Sequence, residues 1–198
     1  MIEKLLEEIG EDKTDNICTT SFQYKRDIWE YFQGFEDKVA VEFGTHKGQT
    51  TRILSFLFRK VYTINNNDNK TAKKLNEDRE NIVYLNMDLY SNLSHLVIKD
   101  IPKEVSMFLI DAGHDYMHVI KDINLAFSLY TAPECYLVFD DYGLEKYKWD
   151  VRKAIDEAMS KEVLTLVKKI GHKPGFNFGG KPARILDEYE GVITKIKY

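Results

Sequence analysis

Three aspartates and a histidine form the most chemically suggestive group in this sequence. Asp111 and His114 follow one apolar run, and Asp140 and Asp141 follow another. Carboxylate oxygens suit a hard divalent cation such as Mg²⁺ or Mn²⁺. An imidazole titrates near neutral pH and can take a proton from a substrate hydroxyl. The pattern therefore predicts a metal site, with the three aspartates as ligands and His114 as the base.

Each of these residues also has a structural interpretation. Asp111 could cap the following helix, Asp141 could serve a turn, and Asp140 could make a surface hydrogen bond. His114 could pack at the start of a helix. Three carboxylates that converge without a cation would repel one another and raise one another's pKa values. Convergence at one edge of a sheet is therefore the feature that favours a metal.

A glycine turn is the second suggestive feature. The apolar run Val39–Phe43 ends at Gly44, Gly48 follows, and a helical pattern begins near Thr50. A strand, a glycine turn and a helix start bring backbone N–H groups up to a ligand. Glu42 interrupts the apolar run, and a buried carboxylate is costly without a partner, so we expect a ligand with a positive group. The alternative is an ordinary turn, because E-x-G-x-x-x-G alone is a weak signal.

Alternating strands and helices must position these residues. Apolar runs predict seven strands, at 39–43, 61–64, 82–85, 105–110, 136–139, 163–170 and 192–196. Helical periodicity predicts helices at 2–9, 22–35, 50–58, 71–80, 91–98, after Tyr116, and at 149–159. This alternation indicates an α/β fold with a doubly wound, mostly parallel sheet. Such sheets bind ligands at the carboxyl ends of their strands, where Asn65, Met87 and Asp88 are also expected.

Composition sets the remaining bounds. The 198 residues, 43% hydrophobic and 30% charged, predict one domain with N-terminal helices (1–35), a core (36–160) and C-terminal strands (161–198). The net charge of -4 argues against nucleic acid as a partner, and the apolar runs are too short for a membrane span. The acidic, amphipathic N-terminus is neither a signal nor a transit peptide. Two scattered cysteines, Cys18 and Cys135, suggest a reducing, cytoplasmic setting.

Three segments carry a family resemblance: V-E-F-G-T-H-K-G-Q-T, F-L-I-D-A-G-H-D-Y and L-V-F-D-D-Y. Together with the closing V-R-K-A-I-D-E, they resemble class I S-adenosylmethionine-dependent methyltransferases. More narrowly, they are similar to the metal-dependent O-methyltransferases that act on sugars and small molecules. The resemblance covers residues 36–160. It implies a Rossmann-like methyltransferase fold whose last strand is antiparallel, and methyl transfer to a hydroxyl of a sugar or glycan.

The resemblance also implies a role for each motif residue. The cofactor-binding residues would be Glu42, Gly44, Thr45 and Gly48 in the first turn, Asn65 beside the ribose, Met87 and Asp88 near the adenine, and Asp111. The metal ligands would be Asp111, Asp140 and Asp141, and the catalytic residues would be His114 and Asp111. The cofactors implied are S-adenosylmethionine and Mg²⁺ or Mn²⁺.

Two residues depart from the family pattern. Asn65 stands where an acidic residue usually accepts hydrogen bonds from both ribose hydroxyls, and Asp68 is an alternative acceptor. Gly113 stands where several sugar enzymes carry an aspartate, which increases the weight on His114. A catechol-type acceptor and a binding module without activity remain alternatives, whereas a nicotinamide enzyme is disfavoured because G-x-G-x-x-G is missing. A homodimer is compatible with the sequence.

Overall fold

The computed structural model describes residues 1–10, 19–91, 99, 101–130, 132–171, 177–178, 181–182 and 189–197. Several sequence predictions lie outside these residues. They are Cys18 and most of the helix predicted at 91–98.

The described residues contain a seven-stranded sheet. Its strands are β1 (Val39–Phe43), β2 (Lys60–Asn65), β3 (Ile82–Asn86), β4 (Val105–Ile110), β5 (Tyr136–Phe139), β6 (Leu164–Ile170) and β9 (Gly191–Ile196). Their order across the sheet is β3-β2-β1-β4-β5-β9-β6. Two short strands, β7 (Asn177–Phe178) and β8 (Lys181–Pro182), pair with each other. In the seven-stranded sheet, strand β9 runs antiparallel to both of its neighbours, and the other pairs are parallel. The predicted doubly wound sheet with an antiparallel last strand is confirmed.

Six α-helices flank this sheet in the described chain. They are α1 (Ile2–Ile9), α2 (Phe22–Tyr31), α3 (Gln49–Leu57), α4 (Lys70–Leu75), α5 (Tyr116–Leu129) and α6 (Lys153–Ser160). A 3₁₀ turn (Glu145–Tyr147) and a π-helical turn (Lys148–Arg152) precede α6. The α-helix predicted from residue 149 is wrong in its first turn, which is π-helical, a form that is frequent at functional sites.

Helix α4 ends earlier than its periodicity suggests. The prediction extended it to residue 80, but the helix ends at Leu75. The amide of Asn76 donates hydrogen bonds to the carbonyl oxygens of Gly48 (3.0 Å) and Ala72 (2.9 Å). Asn76 therefore satisfies a helix carbonyl with its side chain, as helix ends require, and ties the helix to the glycine turn.

The sheet is covered on both faces. One hydrophobic cluster packs Val119 and Ile123 of α5 and Ile155 of α6 against the sheet. The other packs Ile28 of α2 and Ile53 of α3 against the opposite face. All residues of β4 are buried, as the apolar run predicted for a strand that is covered on both sides.

The segment before α2 is fixed to the carboxyl edge of the sheet. Ser21 caps α2 by accepting a hydrogen bond from the Tyr24 amide (3.0 Å). The Ser21 amide donates to the buried carboxylate of Glu190 (3.0 Å), which directly precedes β9. The hydroxyl of Thr20 also lies 3.1 Å from that of Thr50 in α3. These contacts hold the N-terminal helices over the glycine turn.

Among the described residues, no helix is both long enough and apolar enough to cross a membrane.

The glycine at the end of β1 supports a sharp prediction about stability. Gly44 has φ +97°, and a Cβ there would lie 1.8 Å from the Asp111 carbonyl oxygen. Gly34 has φ +89° with nothing within 4 Å, so it isolates the backbone effect. We expect Gly34→Ala to lower the free energy of unfolding by about 1 kcal/mol, and Gly44→Ala to lower it by about 3 kcal/mol or more. Urea unfolding measures both, and equal losses would contradict the close approach.

Candidate active site

Two adjacent loops bring three potential metal ligands together. Ligand atoms of Asp111, His114 and Asp141 all lie within 4.8 Å of one another. Asp111 and His114 follow β4, and Asp141 follows β5. These two strands pair in parallel, so the loops leave the same edge of the sheet. Two carboxylates and an imidazole at this separation fit a divalent cation.

Asp141 is held in an uncommon backbone conformation. Its φ is +60°, in the left-handed region that aspartate tolerates better than most residues. The Leu144 amide donates to the Asp141 carbonyl oxygen (3.2 Å), and the Gly143 amide donates to the Glu190 carbonyl oxygen (3.0 Å). The turn is therefore fixed on both sides. Backbone strain of this kind clusters at functional sites, which is consistent with a role for Asp141.

Asp140 lies beside this group without belonging to it. It was predicted as the third carboxylate ligand, and that prediction stays untested. Its side chain is buried, so the alternative of a surface hydrogen bond does not hold. Its amide donates to the Ile110 carbonyl oxygen (3.3 Å), which continues the pairing of β4 with β5. Among the described residues, the structure brings His114 rather than Asp140 to Asp111 and Asp141.

His114 has partners on two sides. Its Nδ1 lies 3.2 Å from a carboxylate oxygen of Asp141. Its ring stacks on Tyr147 with 4.9 Å between centroids and 25° between planes. A proton on Nδ1 facing Asp141 would leave Nε2 as the proton acceptor.

Helix α5 is capped by Asp115, which accepts a hydrogen bond from the His118 amide (3.0 Å), so Asp111 is not its cap.

A cleft of about 350 Å³ adjoins the group formed by Asp111, His114 and Asp141. Its lining includes the predicted cofactor residues Glu42, Gly44, Thr45, Asn65, Met87, Asp88 and Asp111, together with His114. Asp68, the alternative partner for a ribose, is not part of this lining and pairs with Lys70 at 2.8 Å. The residues therefore form one continuous site along the carboxyl edge of β1 to β4.

Gly48 is the predicted cofactor residue that does not line the cleft. A Cβ at Gly48 would lie 2.6 Å from the Cβ of Ala72 and 2.8 Å from the side-chain nitrogen of Asn76. The close approach is thus made by helix α4 and the residue that caps it. The sequence pattern identified the need for glycine but assigned it to a ligand rather than to helix packing.

Glu42 forms the floor of the cleft beside the glycine turn. It is 1% exposed and accepts hydrogen bonds from the hydroxyls of Thr51 and Thr63, both at 2.5 Å. Burial raises the pKa of Glu42 to about 7, although the two hydroxyls and the charge of Lys25 act in the opposite direction. Glu42 therefore changes protonation near neutral pH, and a cationic ligand would favour its ionised form.

Thr19 and Tyr90 are among the cleft-lining residues that the sequence analysis did not identify. Thr19 belongs to the N-terminal segment and donates a hydrogen bond to the side chain of Gln49 (2.7 Å). No local pattern signals a contact between residues this far apart in the chain. Tyr24 of α2 is fully buried. Burial and the nearby charges of Asp140 and Asp111 raise the pKa of Tyr24 well above its usual value.

Similar proteins are found among both sequences and structures. A stretch of 80 residues is 30% identical to the uncharacterized protein R132 of Acanthamoeba polyphaga mimivirus, covering 40% of this chain and 35% of that protein. The chain thus spans about a third of the length of this relative. The O-methyltransferase of Bacillus cereus, solved with S-adenosylhomocysteine, superposes with a TM-score of 0.68 at 13% identity, covering 100% of this chain and 90% of that one.

A second solved structure is the O-methyltransferase TomG of Streptomyces achromogenes in complex with S-adenosylmethionine. It has a TM-score of 0.64 at 12% identity and covers 98% of this chain and 88% of that one. At these identities the superpositions establish the fold alone. The sequence itself matches the family described as a methyltransferase domain over residues 41–142. This match takes in about half of the chain and the residues from β1 to the Asp140–Tyr142 turn, and so the protein belongs to the methyltransferase-domain family.

Proposed function

We propose that this protein is a divalent-cation-dependent O-methyltransferase that moves a methyl group from S-adenosylmethionine to a hydroxyl of a sugar or glycan. One observation carries the proposal. The cleft lined by Glu42 and Asp88 opens directly beside the group formed by Asp111, His114 and Asp141. Membership of a methyltransferase family supports methyl transfer, and the adjoining carboxylates and histidine support an oxygen acceptor.

The cleft residues account for binding of the cofactor, which supplies an electrophilic methyl group when bound. Ionised Glu42 would face the positive methionine end, and Gly44 presents no Cβ there. Asn65 would accept a hydrogen bond from a ribose hydroxyl through its amide oxygen. This bond lacks the strength that a charge would add, because Asn65 replaces a carboxylate. Met87 and Asp88 line the opposite end of the cleft, where the adenine would lie.

The acidic group accounts for the choice of a hydroxyl as acceptor. Asp111 and Asp141, with Asp140 beside them, would hold a divalent cation, which lowers the pKa of a hydroxyl bound to it. His114 is the base: Asp141 orients its Nδ1 at 3.2 Å, and Nε2 takes the proton from the acceptor. Stacking on Tyr147 limits rotation of the imidazole ring. These contacts position one proton acceptor next to the carboxylates.

Two aromatic side chains in the segment between β5 and α6 support a sugar acceptor. Tyr147 stacks on the His114 ring, and Trp149, two residues further on, is 72% exposed in the π-helical turn. Exposed aromatic faces suit the apolar faces of sugar rings. They also suit a catechol, so the assignment to a sugar rests additionally on the sequence resemblance.

The metal ligands can be tested by removing one carboxylate at a time. We expect Asp111→Asn and Asp141→Asn each to weaken Mn²⁺ binding about 10-fold or more, because each removes a charged ligand. Asp115→Asn, in the same loop but at the helix cap, should bind Mn²⁺ as the wild type does. Calorimetric titration with Mn²⁺ gives the affinities. Methyl transfer from labelled cofactor that persists in excess EDTA would contradict the cation requirement.

The role of His114 is tested separately from metal binding. We expect His114→Asn to reduce kcat about 10²- to 10⁴-fold, as expected for loss of a general base, and to leave Mn²⁺ affinity nearly unchanged. A loss of Mn²⁺ affinity as large as that of Asp141→Asn would show instead that the imidazole is a ligand. Cofactor binding without transfer to any hydroxylated acceptor would identify the protein as a binding module.

Glu42 makes cofactor binding depend on pH. With a pKa of about 7 it is neutral below that pH, so it loses its attraction for the positive methionine end. We expect the affinity for S-adenosylhomocysteine to rise from pH 5.5 to pH 7.5, by up to about tenfold per pH unit below the pKa. Glu42→Gln should bind more weakly at pH 7.5 and show little pH dependence. A wild-type affinity that is constant over this range would contradict the assignment.

A further inference from the structure

The loop after β3 and the loop after β4 are joined through one side chain, that of Tyr90. The first loop carries cleft residues, and the second carries Asp111 and His114. We propose that Tyr90 is a positioning residue that couples binding of the cofactor to the geometry of Asp111 and His114. This inference rests on the proposed function and extends it, because it states how two ligands of the same site influence each other.

The first step is the turn that contains Tyr90. The Tyr90 amide donates a hydrogen bond to the side chain of Asp88 (2.9 Å). The amide and hydroxyl of Ser91 both bond to the Asp88 carbonyl oxygen, at 3.2 Å and 2.9 Å. Asp88, Leu89 and Tyr90 all line the cleft. A ligand that fills the adenine end of the cleft therefore contacts this turn directly and restricts it.

The second step is the pair of hydrogen bonds at the Tyr90 hydroxyl. It accepts a hydrogen bond from the Gly113 amide (2.7 Å) and donates one to the carboxylate of Asp122 (3.1 Å). Asp122 belongs to α5 and is 1% exposed. Burial also raises the pKa of Tyr90, so the hydroxyl keeps its proton and remains a donor. The phenol thereby fixes the backbone of Gly113 relative to a buried helix.

The third step is the packing around the Tyr90 side chain, which leaves room for its hydrogen bond to the Gly113 amide. The Tyr90 ring stacks on His118 with 3.7 Å between centroids and 22° between planes. A Cβ at Gly113 would lie 2.5 Å from the Tyr90 oxygen and 2.6 Å from the Cβ of His118. A side chain at residue 113 would therefore expel the phenol. The glycine that departs from the family pattern is the residue that the bridge requires.

These contacts predict reciprocal coupling between the two ligands. Gly113 lies between Asp111 and His114, so fixing its amide restricts the loop from which both side chains project. Cofactor binding should therefore favour the metal-binding arrangement, and metal binding should favour the cofactor by the same factor. We expect saturating S-adenosylhomocysteine to tighten Mn²⁺ binding by about fivefold or more, the lower end of common coupling factors.

The test measures the Mn²⁺ dissociation constant with and without saturating S-adenosylhomocysteine. The S-adenosylhomocysteine dissociation constant with and without saturating Mn²⁺ checks that the coupling is reciprocal. In Tyr90→Phe, which removes both hydrogen bonds, we expect the ratio of the two Mn²⁺ constants to fall close to one. Tyr84→Phe is the matched control. It also removes a tyrosine hydrogen bond, but that bond goes to the Ala72 carbonyl oxygen (3.1 Å) in helix α4 and not to the loop after β4. It should keep the wild-type ratio.

Gly113→Ala provides an independent variant, since it displaces the phenol by contact and leaves Tyr90 in the sequence. It should lose the coupling as Tyr90→Phe does, and it decides the matter if Tyr90→Phe does not fold. A wild-type ratio retained in either folded variant overturns the inference. A ratio near one in the wild type, with both ligands bound, overturns the coupling but not the proposed function. Failure of the wild type to bind either ligand overturns both.

Discussion

The hydrogen bonds that continue beyond the ends of the parallel strands determine where the site residues at those strand ends lie. The Asp111 amide donates to the Phe43 carbonyl oxygen at 2.9 Å, and the Asp140 amide donates to that of Ile110 at 3.3 Å. On the other side of β1, the Gly44 amide donates to the carbonyl oxygen of Ile64 in β2 at 2.9 Å. The first residue of each loop is therefore level with the last residue of the neighbouring strand. Parallel pairing therefore aligns residues from separate parts of the chain at one edge.

This edge collects negative charge in a buried setting. Glu42, Asp140 and Asp141 are each less than a tenth exposed, and Asp122 is buried beneath the loop after β4. Burying a carboxylate costs free energy unless hydrogen bonds or a positive charge compensate it. Two threonine hydroxyls partly compensate Glu42, and His114 contacts Asp141. Cationic ligands would add to this compensation. A divalent cation and the positive methionine end of the cofactor are such ligands, so the electrostatics of the site agree with the proposed chemistry.

Rigid and adjustable parts of the site are divided between sheet and loops. The glycine turn is fixed by the contact of Gly44 with the Asp111 backbone and by the packing of Gly48 on helix α4. The turn that contains Tyr90 is instead partly exposed and reaches the loop after β4 through the hydrogen bonds of the Tyr90 hydroxyl. Side-chain bridges of this kind can transmit the occupancy of one subsite to another.

The sequence alone determined the fold class and the bounds of β1, β4 and β5, and it pointed to residues such as Glu42, Gly44 and Asn65 that line the cleft. These features follow from local patterns, because an apolar run followed by glycine or aspartate identifies the end of a buried parallel strand. Only the tertiary structure decided that Ala72 approaches Gly48, that His114 rather than Asp140 joins Asp141, and that Tyr90 bridges to Gly113. Such contacts join residues far apart in the chain, and hydrophobic periodicity records whether a side chain is buried but not which distant side chain it meets.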